Sequence, residues 1–158
     1  MYLSALEFLE EERQAFRPFE ALAGVPDERM DSPIEAAHGW SARNLIAHMV
    51  AWQAAALDMA RELAVGEASA SKARLDAMTH EQVDAQNAAI SADWGLLPLD
   101  EVRRRIATVP GELRGYLTVV PEARWVKHAS NLQSFIEETI DHYADHVADL
   151  EAILEASG

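Results

Sequence analysis

The 158-residue sequence contains no cysteine. That excludes disulfides, thiolate metal sites and a cysteine nucleophile, and any metal ion must be held by nitrogen and oxygen donors. Basic residues are also scarce: 13 Lys and Arg stand against 27 Asp and Glu, a formal charge of -14 that repels a phosphate backbone and argues against nucleic-acid binding. The one basic run, Arg103-Arg104-Arg105, reads as a turn of solvated helix surface. No apolar run approaches the roughly 20 residues needed to span a bilayer. The opening Met1-Tyr2-Leu3-Ser4, followed by Glu7, Glu10, Glu11 and Glu12, has neither the basic start nor the apolar stretch of a signal peptide, so a cytoplasmic location and no membrane partner are expected.

Glycine and proline are few as well, 7 and 6, and Ala, Leu, Glu and Arg fill the stretches between them. Helix is therefore the default local state, and an all-α protein of one domain over residues 1–158 is expected. Leu3, Leu6, Leu9, Phe16, Phe19 and Leu22 predict a first helix over residues 2 to about 23, which Pro18 kinks or splits. A turn-rich connection follows from Gly24 to Trp40. Ser41 then caps a second helix that carries Leu45, Met49, Trp52, Ala56, Met59 and Leu63 along one side as far as Gly66. Residues 66–71 read as a connector. Thr79 caps a weaker helix marked by Val83, Ile90 and Trp94, with Asn87 interrupting its apolar side. Asp100 opens a helix through Val102, Ile106, Leu113 and Leu117, bent at Pro110-Gly111 and ended by Pro121, after which Trp125 anchors a loop. Ser130 or Asn131 caps a last helix running unbroken to about Ala156. The expectation is four main helices and a shorter one.

The polar residues on these apolar stripes carry the functional argument. His142 and His146 are four residues apart, so on a helix of 3.6 residues per turn their rings point the same way. With His142 at zero on a helical wheel, Phe135 and Ile153 fall at ~20°, His146 at ~40° and Leu150 at ~80°, which puts both histidines on a shoulder of the buried face. His48 lies on the corresponding shoulder of the second helix, at ~-60° from Leu45. Imidazoles in such places must bind a metal, form hydrogen bonds or meet water, because an unpartnered buried polar atom costs ~1–3 kcal/mol. The pattern alone does not choose among these. Glu138 and Asp149, near the pair in sequence, are each able to fix an imidazole tautomer but read equally as solvated acids. Trp40 and Trp52 read as helix-contact core, and His38, His80 and His128 as surface residues. His80-Glu81-Gln82-Val83-Asp84 lacks the second histidine of a zincin motif.

Two segments carry a resemblance to a known family: Gly39-Trp40-Ser41-Ala42-Arg43-Asn44-Leu45-Ile46-Ala47-His48 with Trp52 after it, and His142-Tyr143-Ala144-Asp145-His146. The chain resembles, over most of its length, the DinB-like four-helix-bundle proteins, a group that includes the N-terminal domains of thiol-dependent maleylpyruvate isomerases. The resemblance implies an up-down-down-up bundle with a long crossover, often a homodimer, with one divalent metal held by His48, His142 and His146. Zinc or nickel is the expected ion, with iron or manganese as alternatives. It further implies a metal-dependent enzyme that activates water or an external low-molecular-weight thiol against a small-molecule substrate. A non-catalytic protein that sequesters a metal or metabolite in the same pocket is the alternative. A second titratable group on the open side of the metal is the feature that separates them.

Overall fold

The computed structural model describes all residues, 1–158, and they form an all-helical structure without strands. The α-helices are α1 (Ala5–Phe16), α2 (Asp27–Met30), α3 (Ala42–Val65), α4 (Ala70–Asp76), α5 (His80–Gly95), α6 (Leu99–Val119), α7 (Ala129–Glu138), α8 (Ile140–Asp145) and α9 (Val147–Ser157), with short 3-10 turns between some of them. The only bridge of β type is a single antiparallel pairing of Ile34 with Trp40.

Helix α3 is the central element. Its buried side chains include Leu45, Ile46, Met49, Trp52, Ala56, Met59 and Leu63, and it packs against α6, α5, α4 and α7. The buried apolar residues divide into two clusters along it, one around Phe16, Phe19, Leu45, Met49, Trp94 and Tyr143 and the other around Phe8, Leu57, Leu63, Leu117, Trp125 and Phe135. Its start is closely specified. Ser41 accepts the amide of Asn44 while the Asn44 side chain accepts the amide of Ser41, a reciprocal cap that satisfies two otherwise unpaired donors. Arg43, itself buried, binds Asp31 through Nε and Nη2 and the carbonyls of Trp94 and Leu97 through Nη1. The long connection, α3 and the end of α5 are thereby tied together.

The structure splits the first helix at Pro18, as expected, and departs from the expected elements after Gly66, along the last helix and at its cap. Pro18 ends α1 as an α-helix, and residues Arg17–Gly24 continue as a 3-10 helix. The connector after Gly66 is short, because Ser69 caps the additional helix α4. Pro110 lies inside α6, which runs through it from Leu99 to Val119. The expected single last helix is instead three segments. At Thr139 (φ -125, ψ -98) the side-chain hydroxyl donates to the Phe135 carbonyl at 2.5 Å, taking up an acceptor of the helical ladder, and at His146 (φ -113, ψ 7) the amide bonds back three residues to Tyr143. The cap of α7 is His128, whose Nδ1 accepts the Asn131 amide, in place of Ser130 or Asn131.

A buried polar chain holds α8 in place. Tyr143 donates to Glu12 at 3.0 Å and accepts from Gln53 at 2.8 Å, and Arg114 binds the same carboxylate at 2.6 Å. The Tyr143 ring also meets Phe16 and Phe19, with centroids 5.1 and 5.9 Å away. The residue next to His142 in sequence is therefore fixed by charge, hydrogen bonding and aromatic packing together.

Candidate metal centre

His48 from α3, His142 from α8 and His146 at the α8–α9 break converge, half-buried, and their donor nitrogens all lie within 4.8 Å of one another. The Nε2 atoms of His48 and His142 are 2.8 Å apart. The ring centroids are 4.7 Å apart for His48 with each of the others and 5.0 Å for His142 with His146. All three residues singled out from spacing are thus brought together, and they form a donor set that can hold a metal ion. The interruption at His146 leaves the two last-helix rings on one side, as an unbroken helix would.

Asp149 and Trp40 place the His146 ring, and Trp40 also meets that of His48. Asp149, buried on α9, accepts from His146 Nδ1 at 3.0 Å, which leaves His146 Nε2 as the free nitrogen. The other Asp149 oxygen is 2.9 Å from His38 Nδ1. His38 is in the left-handed region at φ 59 and is followed by Gly39 at φ 82, a turn that folds the long connection back towards α9. The same turn delivers Trp40, which stacks on His146 at 5.4 Å and 18° and meets the edge of His48 at 5.0 Å. Trp52, one turn after His48, is held by its indole N–H donating to Asn87 Oδ1 at 2.8 Å.

Burial dominates the electrostatics. It lowers the pKa of His48 to about 4, with the neighbouring His146 ring adding to the effect, and that of His142 to about 3, with His48 and His146 adding to it. Both are neutral at physiological pH, the form in which imidazole ligates a metal. Nδ1 of His142 is buried and has no hydrogen-bond partner. The all-imidazole donor set and the Asp149–His146 contact are those of a site that can hold a divalent metal ion.

The histidines open into a pocket of about 300 Å³ that Trp52, Leu75, Met78, Val83, Asn87, Glu137 and Glu138 also line. Glu138 has its pKa raised to about 7, by burial first and by the Glu137 charge second. It makes no hydrogen bond to His142, so of the two acids considered for fixing an imidazole only Asp149 does so. Asp149 is buried rather than solvated, and Trp40 is a wall of the site rather than core. His38 is exposed, at 82% of its side chain, and yet shares Asp149 with the site. His80 begins α5 at the surface, as its sequence context suggests.

No family model matches the chain, and neither the curated proteins nor the solved structures searched contain a match. No helix is long and apolar enough to cross a membrane.

Proposed function

We propose that the protein is a divalent-metal-dependent enzyme of the DinB-like helical-bundle type, with the ion held by His48, His142 and His146 and a small molecule as substrate. The observation that carries this reading is the convergence of three imidazole donor nitrogens within 4.8 Å on one side of a pocket. Zinc or nickel is the proposed ion, and the up-down-down-up topology and a homodimer are proposed with it. Bound there, such an ion supplies Lewis acidity, which makes water or a thiol nucleophilic near neutral pH. The chain has no cysteine, so a sulfur nucleophile comes from an external low-molecular-weight thiol.

The chain's own residues supply the rest. Asp149 holds His146 in one tautomer, and Trp40 and Trp52 shield the rings from water on two sides. Glu138 faces the pocket as a carboxyl poised near neutrality, able to take a proton from, or return one to, what binds there. A titratable group in that place favours turnover over sequestration.

The test is metal content of untagged protein purified without chelators, beside thiol-transfer assays with bacillithiol, mycothiol and glutathione against an electrophile, for the parent and the His48→Ala, His142→Ala and His146→Ala variants. Close to one ion per chain, lost in all three variants together with activity, is the expected result. A metal-free parent whose behaviour is unchanged by His48→Ala refutes the site. Full metal occupancy without turnover favours sequestration.

A further inference from the structure

A roomy cavity adjoins the histidine pocket. It measures about 690 Å³ and lies between α3, α4 and α5. Trp52, Leu75 and Met78 line both spaces, so the two share a wall. Nine of its thirteen lining residues are hydrophobic, and the polar ones, Asp58, Arg74, Gln82 and Gln86, are all exposed. The floor is apolar and the rim is polar, the usual constitution of a small-molecule site, and the volume lies within the ~300–1,000 Å³ typical of such sites.

Its origin is visible in the sequence. Along the facing side of α3 the positions 51, 54 and 55 are all alanine, at the one-turn spacing where larger aliphatic residues serve elsewhere on the same helix. On α5 only Ile90 and Trp94 are buried, so the opposite wall contributes little to fill the gap. The three alanines are each half-buried, and the space they face opens to solvent. Packing alone gives no reason to keep three alanines here.

We propose that this cavity and the histidine pocket form one substrate site, which takes a small molecule with an apolar body of several carbons in the α3–α4–α5 cavity and a metal-binding oxygen or sulfur group at His48, His142 and His146. This rests on the metal-dependent reading above. Trp52 lines both parts, and its indole N–H donates to Asn87 Oδ1, which holds the shared wall in one shape.

A homologous series of straight-chain alkyl hydroxamates, from acetohydroxamate to octanohydroxamate, tests it by calorimetry on the zinc-loaded protein. The head group binds the metal and the tail measures the cavity. Affinity is expected to rise about fourfold per methylene, the equivalent of ~0.8 kcal/mol for each buried CH₂, until the cavity is filled. Ala54→Phe and Ala85→Phe fill the cavity from opposite walls, and each is expected to bring the rise below about twofold per methylene at unchanged zinc content. Zinc loading and circular dichroism identify any variant that fails to fold, and either variant suffices. A series with no chain-length dependence on zinc-loaded protein overturns the proposal and leaves the metal site standing. A rise that persists in both filled variants places the tail elsewhere and also overturns it. Failure to load zinc or nickel overturns the proposal together with the function it rests on.

Discussion

Removing the Asp149 carboxylate separates the proposed metal ligands from the residue that orients one of them. Asp149 accepts from His146 Nδ1 at 3.0 Å and its other oxygen is 2.9 Å from His38 Nδ1, while its side chain is only 9% exposed. The bond to His146 therefore acts largely out of solvent, where screening is weak. Partners of this kind are worth about 10–100-fold in metal affinity, or roughly 1.4–2.7 kcal/mol. The burial places Asp149→Ala in the upper part of that range, with zinc affinity falling about 50-fold. Asp149→Asn keeps one acceptor oxygen and is expected to lose less, about tenfold or below. His38→Ala removes a contact from an exposed ring and is expected to cost less than about threefold. Competition with a chromophoric zinc chelator at pH 7.5 measures all three, with circular dichroism as the check on folding. A folded Asp149→Ala protein that binds zinc within twofold of the parent refutes the argument that this carboxylate fixes His146 for ligation.

Three further outcomes follow from the charges. For the metal-free protein, His48 titrates at about 4 when folded and at about 6.5 when unfolded, so its contribution to stability is complete above pH 6.5 and is lost as pH falls towards 4; urea unfolding at pH 7.5 and 4.5 is expected to show His48→Gln losing less stability than the parent over that interval, by up to about 3 kcal/mol. Glu138 has the opposite sign: its carboxyl is favoured by the fold below about pH 4.5 and that contribution is lost as pH rises through about 7. Glu138→Gln is accordingly expected to stabilise the metal-free protein above pH 7 by about 1–3 kcal/mol, or some 2–4 °C of Tm per kcal/mol, and to change little at pH 4. Equal shifts at both pH values in differential scanning calorimetry refute that account. Arg114→Ala leaves Glu12, which is 1% exposed, as a buried carboxylate without its cation and is expected to cost about 3–5 kcal/mol by urea unfolding. Replacing Glu12 by Gln in the same protein is expected to recover part of the loss.

Helical period and apolar stripes, which depend on residues one or two turns away, placed each of the three histidines on a shoulder of a buried face, while their grouping came from the resemblance and not from spacing. The all-helical class was legible from the same period and stripes. The arrangement of the helices was not: nothing in local spacing says which helix neighbours which. Spacing offered Asp149 as a partner for His146 without choosing it over a solvated acid, and its second contact, to His38, and the stacking of Trp40 depend on the turn at His38 and Gly39, two consecutive positive φ values that bring residues 111 positions apart into hydrogen bonding. The breaks at Thr139 and His146 escaped because threonine and histidine are tolerated in helices, and only the bond from the Thr139 hydroxyl to Phe135 shows the ladder yielding.

One signal was in the sequence and pointed further than periodicity did. Asn87 interrupts the apolar side of α5, which weakens that helix as an amphipathic element. In the structure the same residue receives the Trp52 indole N–H and lines the pocket of His48, His142 and His146. The alanines at 51, 54 and 55 are the complementary departure, a stretch of α3 where the side chains are too small for the space they face. A polar residue on an apolar stripe and small residues where large ones would pack both lower the stability of a helix pair. Here the two departures meet on either side of Trp52, beside the one cluster of imidazoles in the fold. Where local rules of packing are broken twice at one place, a binding site is a better physical account than an imperfect core.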